Sequence, residues 1–122
     1  MRGTHAVNTL LNNGIKVCLG SDWTVTHLNV INGIDIAVNR TTKDDANPDG
    51  WIPSEKISVE EAIKAYTIDA AYASFEEDIK GSIEVGKLAD FIVLSENIYE
   101  IPSDRINEVK VEKTILAGCV AN

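Results

Sequence analysis

The run Ile15-Lys16-Val17-Cys18-Leu19, set between Gly14 and Gly20, constrains the fold of this chain most. It is short, β-branched and apolar almost without interruption. That is the pattern of a strand covered on both faces, as in parallel sheets, rather than the alternation of a half-exposed strand. Just before it, Val7, Leu10 and Leu11 stand at i, i+3 and i+4, with Thr4 as N-cap and Gly14 as the stop of a short amphipathic helix. Helix, glycine and buried strand make an αβ unit, with Gly20-Ser21-Asp22-Trp23 at the carboxyl end of the strand. Loops converge on that edge of a parallel sheet, so an ionisable Asp22 leaving a buried strand is a candidate site residue. The plainer reading of "GSD" is an aspartate that caps the following turn.

Further on, Leu28, Ile31, Ile34 and Val38 are spaced three and four apart, predicting a helix of about three turns in spite of Gly33. The polar stretch TTKDDANPDGWIPSEK, punctuated by Pro48, Gly50 and Pro53, predicts a long loop. Ser58-Val59-Glu60-Glu61 fits a capping box and opens the strongest helix, whose apolar face carries Ala62, Ile63, Tyr66, Ala70 and Ala71 and fades near Phe75. From Lys80 the period changes. Gly81–Val85 and Ala89–Leu94, joined by Gly86-Lys87, predict a hairpin, and Val109–Leu116 alternates as a strand that Ala117-Gly118 could turn back into Cys119-Val120.

With 122 residues, 44% hydrophobic and 25% charged, composition is that of one globular domain. Eleven basic against 19 acidic residues leave a net charge of −8, which would repel nucleic acid and anionic membrane. Cys18 and Cys119 lack metal-site spacing and are expected as reduced core or edge thiols. The start MRGTHAVN has no long apolar run, so the expected location is cytoplasmic.

GSDW together with ISVEEAIKAYTIDAAYASFEEDIKGSIEVGKLADFIVLS and VEKTILAG resembles the C-terminal part of the amidohydrolase superfamily of metal-dependent hydrolases, in the branch of the formamide deformylase-like enzymes. The resemblance covers essentially the whole chain, and GSIEVGKLADFIVLS is its most specific piece. It implies an α/β fold: the C-terminal fragment of a (β/α)8 barrel, with the last strand and helices in residues 1–78, followed by a few strands of a small β-sandwich in residues 79–122. It makes Ile15–Leu19 the eighth barrel strand and gives Asp22 the role of metal ligand and proton acceptor for the attacking water, in hydrolysis of an amide or related C–N bond. Trp23 becomes a substrate-binding wall or, alternatively, packing on the barrel edge.

The implied cofactor is a divalent metal, with zinc expected, in the full-length enzyme and none in the chain alone. The implied substrate is a small amide-type molecule. The family's H-x-H pair and further histidine ligands have no counterpart here: His5 and His27 do not stand where the family places ligands. A catalytic zinc needs three or four ligands, so the chain alone is expected to be inactive. Thr24 and His27 also replace prolines common in the family. The runner-up is a non-catalytic structural or interaction module, a dimeric remnant. Either way, homo-oligomerisation or pairing with the missing barrel part is expected, because a lone parallel strand leaves amides and apolar surface unpaired. A weaker alternative is calcium binding: Asp45-Ala46-Asn47-Pro48-Asp49-Gly50-Trp51-Ile52 opens like an EF-hand loop, but position twelve is Lys56, with Glu55 one place short. Gly50-Trp51-Ile52-Pro53 also resembles the amidohydrolase family's own rim loop.

Overall fold

A computed structural model describes residues 5–41 and 46–121. Among the described residues, four α-helices precede a three-stranded antiparallel sheet: α1 (Val7–Asn12), α2 (Val30–Asn39), α3 (Val59–Tyr66), α4 (Ile68–Ala73), β1 (Phe91–Leu94), β2 (Val111–Leu116) and β3 (Cys119–Val120). Single 3-10 segments at Pro53–Glu55 and Ser103–Glu108 complete the set.

The core forms where α2 meets the 3-10 segment Ser103–Glu108 and α3. Ile31, Ile34, Ile57, Ala62, Ile98, Ile106 and Val109 are buried there, and Val7, Leu11 and Leu19 pack against them from the N-terminal side. Ala62 and Ala65 are fully buried, which lets α3 lie close against its neighbours. The closest approach is at Gly33 in α2: a Cβ there would stand 2.1 Å from the Tyr66 hydroxyl of α3. A glycine that weakens a helix by propensity is therefore required by packing.

Helix ends follow the sequence closely. Ser58 caps α3 through the Glu61 amide while Glu61 reaches back to the Ser58 amide at 2.8 Å, the expected capping box. The Asn29 side chain caps α2 by accepting from the Ile31 amide at 3.0 Å. Thr4, the expected cap of the first helix, lies outside the described residues; α1 begins after Ala6 without a side-chain cap. The strong helix expected from Ser58 to about Phe75 divides at Thr67, where φ is −120° and ψ −94°. The Thr67 hydroxyl donates to the Ile63 carbonyl at 2.7 Å, the kind of back-bond that bends a helix.

Three sequence expectations are corrected. Ile15–Leu19 takes no regular secondary structure and is not buried: Ile15 is 50% exposed and Cys18 is exposed. Of the amides from Lys16 to Leu19, only that of Leu19 has a protein partner among the described residues, the Ala65 carbonyl at 3.1 Å. A parallel strand needs neighbours on both edges and a layer on each face, and no described element supplies them.

The Gly81–Val85 hairpin also fails to form. Leu88 donates its amide to Ile79, and Lys87 reaches the Glu77 carbonyl and the Ser82 hydroxyl, so this segment closes as a loop beside α4. A Cβ on Gly81 would meet the Ala71 Cβ at 2.8 Å and the Ile68 Cα at 2.9 Å, with φ at +93°. The partner of β1 is instead β2, paired antiparallel from Phe91↔Ile115 to Leu94↔Val111 with an irregularity after Val93. Ala117-Gly118 does return the chain into β3 as expected. The two cysteines are free and exposed, so the core alternative for them is also corrected.

Candidate functional site

Asp22 lies three residues beyond Leu19, in a turn closed by the Val25 amide donating to the Asp22 carbonyl at 2.7 Å. Its φ of +48° is left-handed, a conformation that aspartate tolerates better than most residues. The backbone of Asp22 therefore makes the turn, while its carboxylate is exposed and makes no side-chain hydrogen bond among the described residues. Trp23 follows it, 62% exposed, and Val25 and Leu28 continue the apolar surface at 75% and 63%.

The loop from Gly20 to Asn29 overhangs a cavity of about 190 Å³, walled by Gly20, Ser21, Thr26, His27, Asn32 and Tyr66. Thr26 holds the loop by donating both its amide and its hydroxyl to the Ser21 carbonyl, at 3.3 and 3.0 Å. Burial pushes the Tyr66 phenol above its ordinary value, so it presents a neutral hydroxyl. Sequence reasoning did not single out Tyr66 as a site residue; a glycine inside a helical pattern at Gly33 was the available signal of a close approach. His27 borders the cavity, whereas His5 stands apart, edge-on to Trp51 at 6.2 Å between ring centroids. A larger open groove of about 860 Å³ lies at Asn29, Ser95 and Glu108; the Arg105 guanidinium pairs with Glu96 and Glu108 at 3.2 and 3.0 Å.

Among the described residues no group of three or more His, Cys, Asp or Glu could hold a metal ion. Asp22 alone does not make a catalytic metal centre, and these residues by themselves do not fit one. The calcium alternative starts at Asp45, outside the described residues. Glu55, the carboxylate nearest its closing position, is turned away toward α1, where the Thr9 amide (2.9 Å) and hydroxyl both donate to it. Those bonds hold its carboxyl below the usual range, with the Arg40 charge adding to them. Arg40 is buried and joins the end of α2 to the loop, donating to the Trp51 carbonyl at 2.7 Å and to that of His5 at 3.3 Å.

The amidohydrolase family model matches residues 1–121, and the chain belongs to that family. It is 41% identical over 102 residues to Protein LONG AFTER FAR-RED 3 of Arabidopsis thaliana, a match covering 82% of this chain and 17% of that protein. It is 33% identical over 118 residues to the putative amidohydrolase YtcJ of Bacillus subtilis, covering 97% and 22%. Against the N-substituted formamide deformylase of Arthrobacter pascens it is 31% identical over 112 residues, covering 92% and 20%. The crystal structure of an amidohydrolase from Thermotoga maritima superposes with a TM-score of 0.67 at 23% identity, over 97% of this chain and 26% of that one, a likeness of fold. The chain thus spans about a fifth of the length of these relatives. Proteins of this family generally use divalent metals.

Proposed function

We propose that this chain is the C-terminal portion of a metal-dependent amidohydrolase that hydrolyses amide or related C–N bonds, and that it is inactive by itself. The family match over residues 1–121, at about a fifth of the relatives' length, is the observation that carries this reading. In it, residues 1–78 are the end of the barrel and residues 79–122 belong to the small sandwich. Asp22 would be the carboxylate this chain contributes to a divalent-metal centre completed by other parts of the barrel, with zinc the expected ion, where it would serve as proton acceptor for the attacking water. Its exposed, unpaired carboxylate suits that role, because no internal hydrogen bond has to be broken first. Trp23 is the apolar wall beside a small amide-type substrate.

Two assays test this. The chain purified alone and loaded with zinc is expected to retain none on dialysis and to hydrolyse no N-substituted formamide; turnover by the chain alone would refute its inactivity. In the enzyme completed by the histidine-bearing part of the barrel, Asp22→Asn is expected to lower kcat by about 10²–10⁴-fold with the fold intact. An unchanged kcat would remove Asp22 from the chemistry.

A further inference from the structure

The cavity between the Gly20–Asn29 loop, α2 and Tyr66 of α3 holds about 190 Å³. An apolar cavity of roughly 150 Å³ takes up one benzene ring, so this one has space for a ring and a small substituent. Leu28, Val30, Ile36 and the Tyr66 ring supply apolar wall, and among the described residues no Asp, Glu, Lys or Arg lines it. A charged ligand would have to shed its water there without meeting a counter-charge, whereas an uncharged ring would not.

Other polar groups on the wall are already engaged. Thr26 donates its hydroxyl to the Ser21 carbonyl, and the Asn29 side chain accepts from the Ile31 amide. The Tyr66 hydroxyl differs. It has no hydrogen-bond partner among the described residues, and burial keeps it protonated. At Gly33, α2 passes so close that a Cβ would stand 2.1 Å from the phenol oxygen, which fixes the ring by contact alone. A neutral phenol fixed in a cavity wall with its proton unused is a donor for an acceptor that enters.

We propose that this cavity binds an uncharged single ring carrying one acceptor atom, with the Tyr66 hydroxyl donating to that acceptor and Leu28, Val30 and Ile36 enclosing the ring. Gly20 and Ser21 line the cavity and directly precede Asp22. On the hydrolase reading, on which this assignment rests, the ring is therefore a substituent of the amide-type substrate, and Tyr66 sets specificity for it. Binding of the ring itself needs no metal and no chemistry.

The test is an amide NMR titration of the chain alone at about pH 7.5, with acetophenone, toluene, benzoate and benzylammonium as probes. Acetophenone and toluene should shift the Thr26, His27 and Asn32 amides saturably, and the two ions should leave them unmoved. Tyr66→Phe removes an oxygen that has no partner, so the rest of the spectrum should be unchanged. The variant should bind acetophenone about 3–10-fold more weakly and toluene as before. No saturable shift with acetophenone, equal binding of either ion, or a Tyr66→Phe chain that loses both neutral probes alike or neither would each overturn the proposal. None of the probes is hydrolysed, so a negative result leaves the hydrolase reading standing, and an unchanged kcat in Asp22→Asn leaves the ring site standing.

Discussion

Glu55 shows how one side chain ties distant parts of this sequence together. Its carboxylate sits 46 positions from Thr9 in sequence, yet the Thr9 amide and hydroxyl both donate to it. A carboxyl held below its unfolded value contributes stability that is fully present above that value and is lost as pH falls through the carboxylate range. Thr9→Val removes the hydroxyl bond and keeps the amide bond. Its destabilisation, measured by urea unfolding, is therefore expected to be largest near pH 7 and to vanish in acid, with the Glu55 pKa moving up by NMR. At Gly33 the constraint is steric. Gly33→Ala forces a Cβ to within 2.1 Å of the Tyr66 hydroxyl, so a loss of about 1–3 kcal/mol is expected by denaturant unfolding in spite of alanine's better helix propensity. Tyr66→Leu in the same chain should recover part of it.

The helices take their ends from local chemistry, and their lengths from contacts that a periodicity count does not contain. The capping box at Ser58 was legible because both of its bonds are formed within four residues. Ser58→Ala is expected to cost about 1 kcal/mol, read as a lowered unfolding midpoint with an unchanged denaturant slope. The division at Thr67 was not legible, since threonine is common inside helices and its bend shows only once the back-bond to Ile63 is seen. The mistaken hairpin has a similar cause. Alternation identifies a run that fits a sheet without naming its partner, and Lys87 ties residues 82–87 to the Glu77 carbonyl in the loop after α4 while β1 takes β2 as its neighbour.

At the scale of the whole molecule, stability concentrates between α2, α3 and the 3-10 segment that carries Ile106. Ile106 is completely buried, so Ile106→Ala is expected to cost about 2–5 kcal/mol in denaturant unfolding, enough to threaten the fold of a chain this size. The N-terminal stretch from Ile15 to Leu28 contributes little to that core beyond Leu19. The apolar run Ile15–Leu19 and the candidate carboxylate thus both lie in a poorly covered part of the molecule.

What the sequence determined by itself is local or compositional: the capping box, the turn into β3, the α/β character, the acidic charge and the family to which GSDW and GSIEVGKLADFIVLS belong. These rest on hydrogen bonds and spacings within a few residues, or on motifs that survive whatever the rest of the chain does. Tertiary structure decided the burial of Arg40 and Glu55, the pairing of β1 with β2, the clamp of Tyr66 on Gly33, and the failure of Ile15–Leu19 to become a strand. Each of these depends on which surface lies opposite, and a strand in particular is completed only by a neighbour's backbone.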